Sequence, residues 1–174
     1  MTSEANMETN PVLSYSRIAA IEEFRRTLEK AQAGVLFRRL FSRDGGLEDF
    51  RKLQPALEPA GHYRGTMEIP VERIVGSVDR GADFDRDFRP LSAHLRDRWI
   101  NVYLLAGEQG WPPIRVLKAG DRYYVEDGHH RVSVARQFGM PTIRADVWEY
   151  SFKPPDAAGC ACRPNYCDLP LAEC

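Results

Sequence analysis

Apolar side chains recur three or four residues apart from Ser16 onward, at Ile18, Ile21, Phe24 and Leu28. That spacing predicts an amphipathic helix with the four on its buried stripe. Ser16 is placed to cap it, and Glu22 and Glu23 sit in the early turns, where the helix dipole favours acids. Gly34 is expected to break or kink the helix before a second apolar run, Val35, Leu36, Leu40 and Phe41, which ends in a turn at Asp44-Gly45-Gly46. A short helix is expected over 47–53, stopping before Pro55. Farther on, Met67-Glu68-Ile69-Pro70-Val71 and Ile74-Val75 read as a strand entering a turn. Residues 76–88 are dense in charge (Arg80, Asp83, Asp85, Arg86, Asp87) and read as a loop.

Residues 91–107 carry Leu95, Trp99, Val102, Tyr103 and Leu105 at helical spacing. Trp111-Pro112-Pro113 is an extended entry, because each proline turns its predecessor away from helix. Ile114-Arg115-Val116-Leu117, a turn at Ala119-Gly120-Asp121 and Arg122-Tyr123-Tyr124-Val125-Glu126 predict a hairpin. From His129 the pattern becomes helical through Val132, Val134, Ala135 and Phe138, with Gly139 as the C-terminal cap. Ile143-Arg144-Ala145-Asp146-Val147-Trp148 alternates as a last strand. The order strand, helix, hairpin, helix, strand predicts a small α/β (α+β) domain over 67–150. It is preceded by a flexible N-terminus over 1–16 and a helical extension over 17–66, and followed by a Pro/Cys-rich tail over 151–174.

Composition narrows the function. Among 174 residues, Lys+Arg number 24 and Asp+Glu 25, for a net charge of −1. That balance speaks against a strongly basic nucleic-acid binder or a polybasic membrane module. The Arg38, Arg39 and Arg43 cluster is followed by Asp44, Glu48 and Asp49 and reads as a solvated face. No apolar run approaches the roughly 18–20 residues of a bilayer span, and the first ten residues are polar and acidic; a cytoplasmic location is expected. All four cysteines, Cys160, Cys162, Cys167 and Cys174, follow Pro154-Pro155. The body therefore has neither a disulfide framework nor a nucleophilic thiol. The tail thiols are open to three states: reduced and mobile, ligating Zn²⁺, or joined as disulfides.

The chemistry concentrates at Asp127-Gly128-His129-His130-Arg131. A strand stops at a glycine and a helix begins, so the first helical N–H groups lack partners and carry partial positive charge. Gly128 is expected to let a ligand approach the backbone. Two imidazoles and a guanidinium add donors, which together make a phosphate site. Asp127 is a candidate to orient a histidine, cap the helix, hold Mg²⁺ or accept a proton. The plainer alternative makes Asp127 a cap and the histidines packing or surface residues. His62 and His94 read as surface residues, Trp99, Trp111 and Trp148 as core, and Asp83, Asp85 and Asp87 as a solvated loop.

The strings Pro112-Pro113-Ile114-Arg115-Val116-Leu117, Tyr123-Tyr124-Val125-Glu126-Asp127-Gly128-His129-His130-Arg131-Val132 and Ile143-Arg144-Ala145 resemble the ParB N-terminal/sulfiredoxin superfamily over about residues 67–150. Sulfiredoxins read Gly-Cys-His-Arg at this place; His129 stands where their cysteine would be, which excludes thiol chemistry. Chromosome-partition ParB proteins read Gly-Glu-Arg-Arg and bind CTP; that string is absent here, and no helix-turn-helix segment follows. The likeness is nearer to branches with Asp-Gly-His-x-Arg, free-serine kinases among them, and to bacterial stand-alone ParB-like proteins with a helical N-terminal extension. It implies nucleotide phosphates at Gly128, His129, His130 and Arg131, further phosphate contacts from Ser77 and Arg80, and catalytic roles for Asp127, His129 and His130. The glutamate base of the kinases has no counterpart at its place, since Glu72 precedes it and Asp79 or Asp83 follows.

Three functions follow as expectations. The first is a phosphotransferase or nucleotide hydrolase using ATP, ADP or CTP, with Asp127 and an acid from the 79–87 loop around Mg²⁺ and electrostatic stabilisation from His130, Arg131 and Arg80. The second is a non-catalytic module that senses a nucleotide or other phosphorylated small molecule, the 76–89 loop then meeting a partner protein. A ParB-like nuclease comes last, since the neutral net charge offers DNA no basic track.

Overall fold

The computed structural model of the chain describes residues 17–40, 46–106 and 110–154. The four tail cysteines and the Asp44-Gly45 part of the expected turn lie outside these residues. The described chain is a mixed α/β structure of three helices and one six-stranded sheet.

Helix α1, Arg17–Leu40, runs through Gly34 without a break. A glycine costs a helix interior only about 1 kcal/mol, and the packed N-terminal half holds the element. Its buried stripe is Ala20, Phe24, Thr27 and Ala31, whereas Ile18 is 71% exposed and Ile21 42%. Phe24 is buried and Leu28 packs against the same cluster, as the spacing predicts; only the N-terminal end of the stripe moves, from Ile18 and Ile21 to Ala20. Thr27 Oγ1 meets Gln137 Oε1 at 3.2 Å and donates back to the Glu23 carbonyl at 2.8 Å, so a polar residue sits in that seam without an orphaned group.

Strand β1, Glu48–Asp49, pairs in parallel with β3, Ile74–Ser77. The helix expected over 47–53 is therefore a two-residue strand running into a 3-10 turn, Phe50–Lys52, because β3 offers an edge and Asp49 caps the turn by accepting from the Arg51 N–H. Strand β2, His62–Pro70, begins before the first apolar residue that marks it in the sequence. It lies at the sheet edge with polar Arg64 and Thr66 facing outward, paired antiparallel to β6, Thr142–Tyr150. Helix α2, Arg96–Leu105, follows a 3-10 turn at Ala93–Leu95. Strands β4, Ile114–Ala119, and β5, Arg122–Asp127, form the expected hairpin, with Gly120 at φ 63° in its turn. Helix α3, His129–Gln137, fills the crossover from β5 to β6.

Strand order is β1-β3-β5-β4-β6-β2. One sheet face packs Ile69, Ile74, Val116, Val125 and Val147 against Val132 and Ala135 of α3 and against Phe84 and Phe88. Helix α1 adds an outer layer through Phe24, which meets Trp99 edge-on at 5.6 Å between ring centroids. The opposite sheet face is covered by Phe50 and Leu57 over Tyr124 and Leu117. Gly76 is required where β1 crosses β3: a Cβ there would come 2.3 Å from the Glu48 carbonyl oxygen and 2.5 Å from the Tyr124 ring.

Candidate functional site

Strand β5 delivers Glu126 and Asp127, and α3 starts two residues later behind Gly128, which has φ 103°. The first intrahelical bond runs from the Val132 N–H to the Gly128 carbonyl at 3.0 Å, so the N–H groups of His129, His130 and Arg131 are the unpaired ones of the first turn. This end of α3 borders a cavity of about 240 Å³. Asp79 and Arg80 after β3, Arg98 and Val102 of α2, and residues 126–131 line it.

Gly128 is demanded by packing. A Cβ on it would lie 2.5 Å from Ile114 Cγ2, 2.8 Å from Ile114 Cβ and 3.1 Å from Arg131 Nε. The close approach expected for a ligand is thus taken up by β4, and the positive φ independently disfavours a side chain.

Both histidines are buried, His129 4% and His130 6% exposed. His129 is ordered by Ser77. Ser77 Oγ accepts the Asp79 N–H at 3.2 Å and the Arg80 N–H at 2.9 Å, which uses both lone pairs. Its own proton is then left for His129 Nε2, 2.7 Å away. His129 therefore accepts at Nε2 and carries its proton on Nδ1. Phe84 stacks on the same ring at 5.9 Å and meets His130 edge-on at 5.4 Å. Burial pushes both imidazoles down from the ordinary 6.5 to about 4. For His130 the neighbouring Arg98 and Arg80 push in the same direction, whereas for His129 the Asp79 carboxylate pulls back. Both rings are neutral at neutral pH, and the buried Nε2 of His130 has no partner among the described residues.

Arg131 is fastened rather than free. Its Nη1 donates to the carbonyls of Pro112 at 2.7 Å and Pro113 at 2.8 Å, and its Nη2 to Asp127 Oδ2 at 2.5 Å. Asp127 neither caps α3 nor orients a histidine; the N-cap is Gly128 and no side chain caps the helix. Ser77 is fully buried and reaches the cavity only through His129 and residues 79–80. Arg80 pairs with Asp83 at 3.0 Å and Glu126 with Arg115 at 3.1 Å. That leaves Arg98 and Asp79 as the wall charges without a salt bridge among the described residues. Arg98 escaped the sequence reading because Arg96-Asp97-Arg98 looks like any solvated helix face; only the fold turns it toward α3.

Among the described residues, no group of three or more His, Cys, Asp or Glu side chains comes together to hold a metal ion. No described helix is long and apolar enough to cross a membrane.

No family model and no curated protein matches the chain. A solved structure of sulfiredoxin from Arabidopsis thaliana is similar over 49% of this chain and 86% of that one, at 23% sequence identity and a TM-score of 0.38. A likeness at that level carries no inference about activity.

Proposed function

We propose that the cavity at the start of α3 binds the phosphate end of a small phosphorylated molecule, a nucleotide being the leading candidate. The carrying observation is His130: a buried, neutral imidazole in the cavity wall whose Nε2 has no partner among the described residues. Leaving such a nitrogen unpaired costs about 1–3 kcal/mol; with its proton on Nε2 the ring would donate to a phosphate oxygen once a small shift of the wall uncovers that nitrogen, which solvent does not reach. The unpaired N–H groups of residues 129–131 and the dipole of α3 favour the same anion. Arg98 offers an uncommitted guanidinium across the cavity, Arg80 shares its charge with Asp83, and Arg131 contributes charge from within its clamp.

The volume supports a partial fit. About 240 Å³ falls below the roughly 300–1,000 Å³ of pockets that enclose a whole drug-sized ligand. One or two phosphate groups enter while the remainder of the ligand lies outside. ATP, ADP and CTP all present such an end.

Phosphoryl transfer in the same cavity is the second reading, favoured by the three carboxylates in its wall, Asp79, Glu126 and Asp127. Mg²⁺ commonly takes one or two carboxylates together with substrate phosphates, so Asp127 and Asp79 would serve a metal that arrives with the nucleotide.

A thermal-shift panel of phosphate, pyrophosphate, ATP, ADP and CTP, with and without Mg²⁺, tests binding on wild type and Arg98→Ala. A ligand at a hundred times its Kd stabilises by about 2.7 kcal/mol. Arg98 is exposed and makes no salt bridge among the described residues, so its removal leaves the fold intact and weakens binding by about tenfold. No shift with any of the five compounds overturns the proposal. Release of phosphate or a labelled product then separates transfer from sensing.

A further inference from the structure

Arg136 lies in the last turn of α3, at the far end from the cavity. Its guanidinium ties together two stretches of chain that are distant in sequence. Nη2 donates to the carbonyl of Ile74 at 2.5 Å and to that of Val71 at 3.4 Å, and Nη1 donates to the carbonyl of Arg86 at 3.3 Å. The same group lies 5.0 Å from the centre of the Phe88 ring. No carboxylate salt-bridges it among the described residues; the carboxylates of Asp87 and Asp85 favour its charge from farther off, and its direct contacts go to backbone oxygens and an aromatic face.

Those oxygens bracket the segment that builds one wall of the cavity. Between Ile74 and Arg86 lie Ser77, which fixes His129, then Asp79 and Arg80 in the lining, then Phe84 against both imidazoles. The segment is held in a shape it would not choose alone. Phe88 is fully buried with φ 57°, a left-handed conformation that a bulky side chain adopts only under constraint from its surroundings. Asp85 ties the loop internally by accepting the N–H groups of Asp87 and Arg89, each at 2.9 Å. Arg136 and the Phe88 packing tie it to the body of the protein.

We propose that Arg136 is a positioning residue for the cavity: by clamping both ends of residues 74–86 from the C-terminal end of α3, it sets Ser77, Asp79 and Arg80 in register with His129 and His130. The binding consequence rests on the phosphate reading above; the clamp itself does not. A guanidinium fork reaches three carbonyls at once, whereas an ammonium keeps the charge without that geometry.

Amide hydrogen exchange is the direct readout, on wild type, Arg136→Lys and Arg136→Met. The Lys variant retains charge and aliphatic stem and is the one expected to fold with little loss. The Asp79 and Arg80 amides, which donate to Ser77 Oγ, should exchange about tenfold faster in both variants. Amides within β4, β5 and β6 should keep their wild-type protection. Pyrophosphate should bind each variant roughly two- to thirty-fold more weakly, the usual range for a residue acting on a site through its neighbours. Unchanged exchange at Asp79 and Arg80 overturns the clamp, as does full recovery in the Lys variant or an increase spread evenly over the whole chain. Failure of pyrophosphate to bind wild type counts against the phosphate reading alone, since the exchange experiment needs no ligand.

Discussion

Replacing Gly128 by alanine separates two reasons for a glycine at the start of α3. In the first, the residue keeps the backbone open to a ligand; in the second, β4 leaves no room for a side chain. The structure favours the second, with the new Cβ 2.5 Å from Ile114 Cγ2 and 2.8 Å from Ile114 Cβ at a backbone φ of 103°. The left-handed conformation costs a residue with a Cβ about 1–2 kcal/mol. Forcing a methyl against a fully buried strand residue adds roughly 1–3 kcal/mol. Gly128→Ala should thus lower stability by about 2–5 kcal/mol, and Tm by roughly 5–15 °C for a chain of this size. Urea and thermal unfolding measure the loss. Combining it with Ile114→Ala, which removes the opposing Cγ2, isolates the clash. Ile114→Ala alone costs about 2–5 kcal/mol, and the double variant should cost less than the two single losses together by roughly 1 kcal/mol or more. A Gly128→Ala protein within about 0.5 kcal/mol of wild type, or strict additivity, refutes the packing explanation. Retained stability with lost phosphate binding would return the glycine to the ligand.

Three further outcomes follow from the same geometry. Arg131→Ala removes the bonds to Pro112, Pro113 and Asp127 from a side chain only 14% exposed, and should cost roughly 2–3 kcal/mol in urea unfolding; Arg131→Lys should recover less than half of it. Ser77→Ala leaves the Asp79 and Arg80 N–H groups and His129 Nε2 without their shared hydroxyl; it should cost about 1–3 kcal/mol and move the ring ¹⁵N signals of His129, whereas unmoved signals would contradict the assigned tautomer. The imidazoles of His129 and His130 are lowered by burial from 6.5 to about 4, so the unfolded chain takes up more protons below pH 6.5. Their stabilisation is complete above pH 6.5 and is lost as pH falls toward 4. Each should have lost about 2 kcal/mol by pH 5, and urea midpoints that stay flat from pH 7 to pH 5 would contradict buried, neutral rings.

Much of the sheet is legible in the sequence, because turn chemistry and alternation are local signals. Gly120-Asp121 joins the arms of the β4–β5 hairpin, Gly139 with φ 64° ends the α3 turn, and Ile143, Ala145 and Val147 alternate inward along β6. What escapes is set by distant partners. Ile18 and Ile21 share a helical stripe with Phe24 as well as Ala20 does, and only the surface of α2 and α3 decides between them. Residues 48–49 become a strand because β3 presents an edge to them. The polar start of β2 carries no apolar signal, since an edge strand needs none on its exposed face. The candidate site divides the same way. The run from Asp127 to Arg131 stands out as a cluster, and the structure does gather residues 126–131 around one cavity. Asp127 and Arg131 pair within the motif, four residues apart, but the Pro112 and Pro113 carbonyls that hold Arg131, the burial of Ser77 and the presence of Arg98 depend on the entry to β4, on α2 and on the 78–91 loop, none of which adjoins the motif in sequence.

The most direct test of the central claim watches His130 itself. Histidine-selective ¹H–¹⁵N spectra of the wild-type protein, titrated with pyrophosphate and then with ATP, ADP and CTP in the presence of Mg²⁺, report on its Nε2. The phosphate site predicts that this nitrogen and the amides of residues 129–131 shift together and saturate with at least one of these compounds. Ring and amide signals that stay in place at millimolar concentrations of all of them would contradict it.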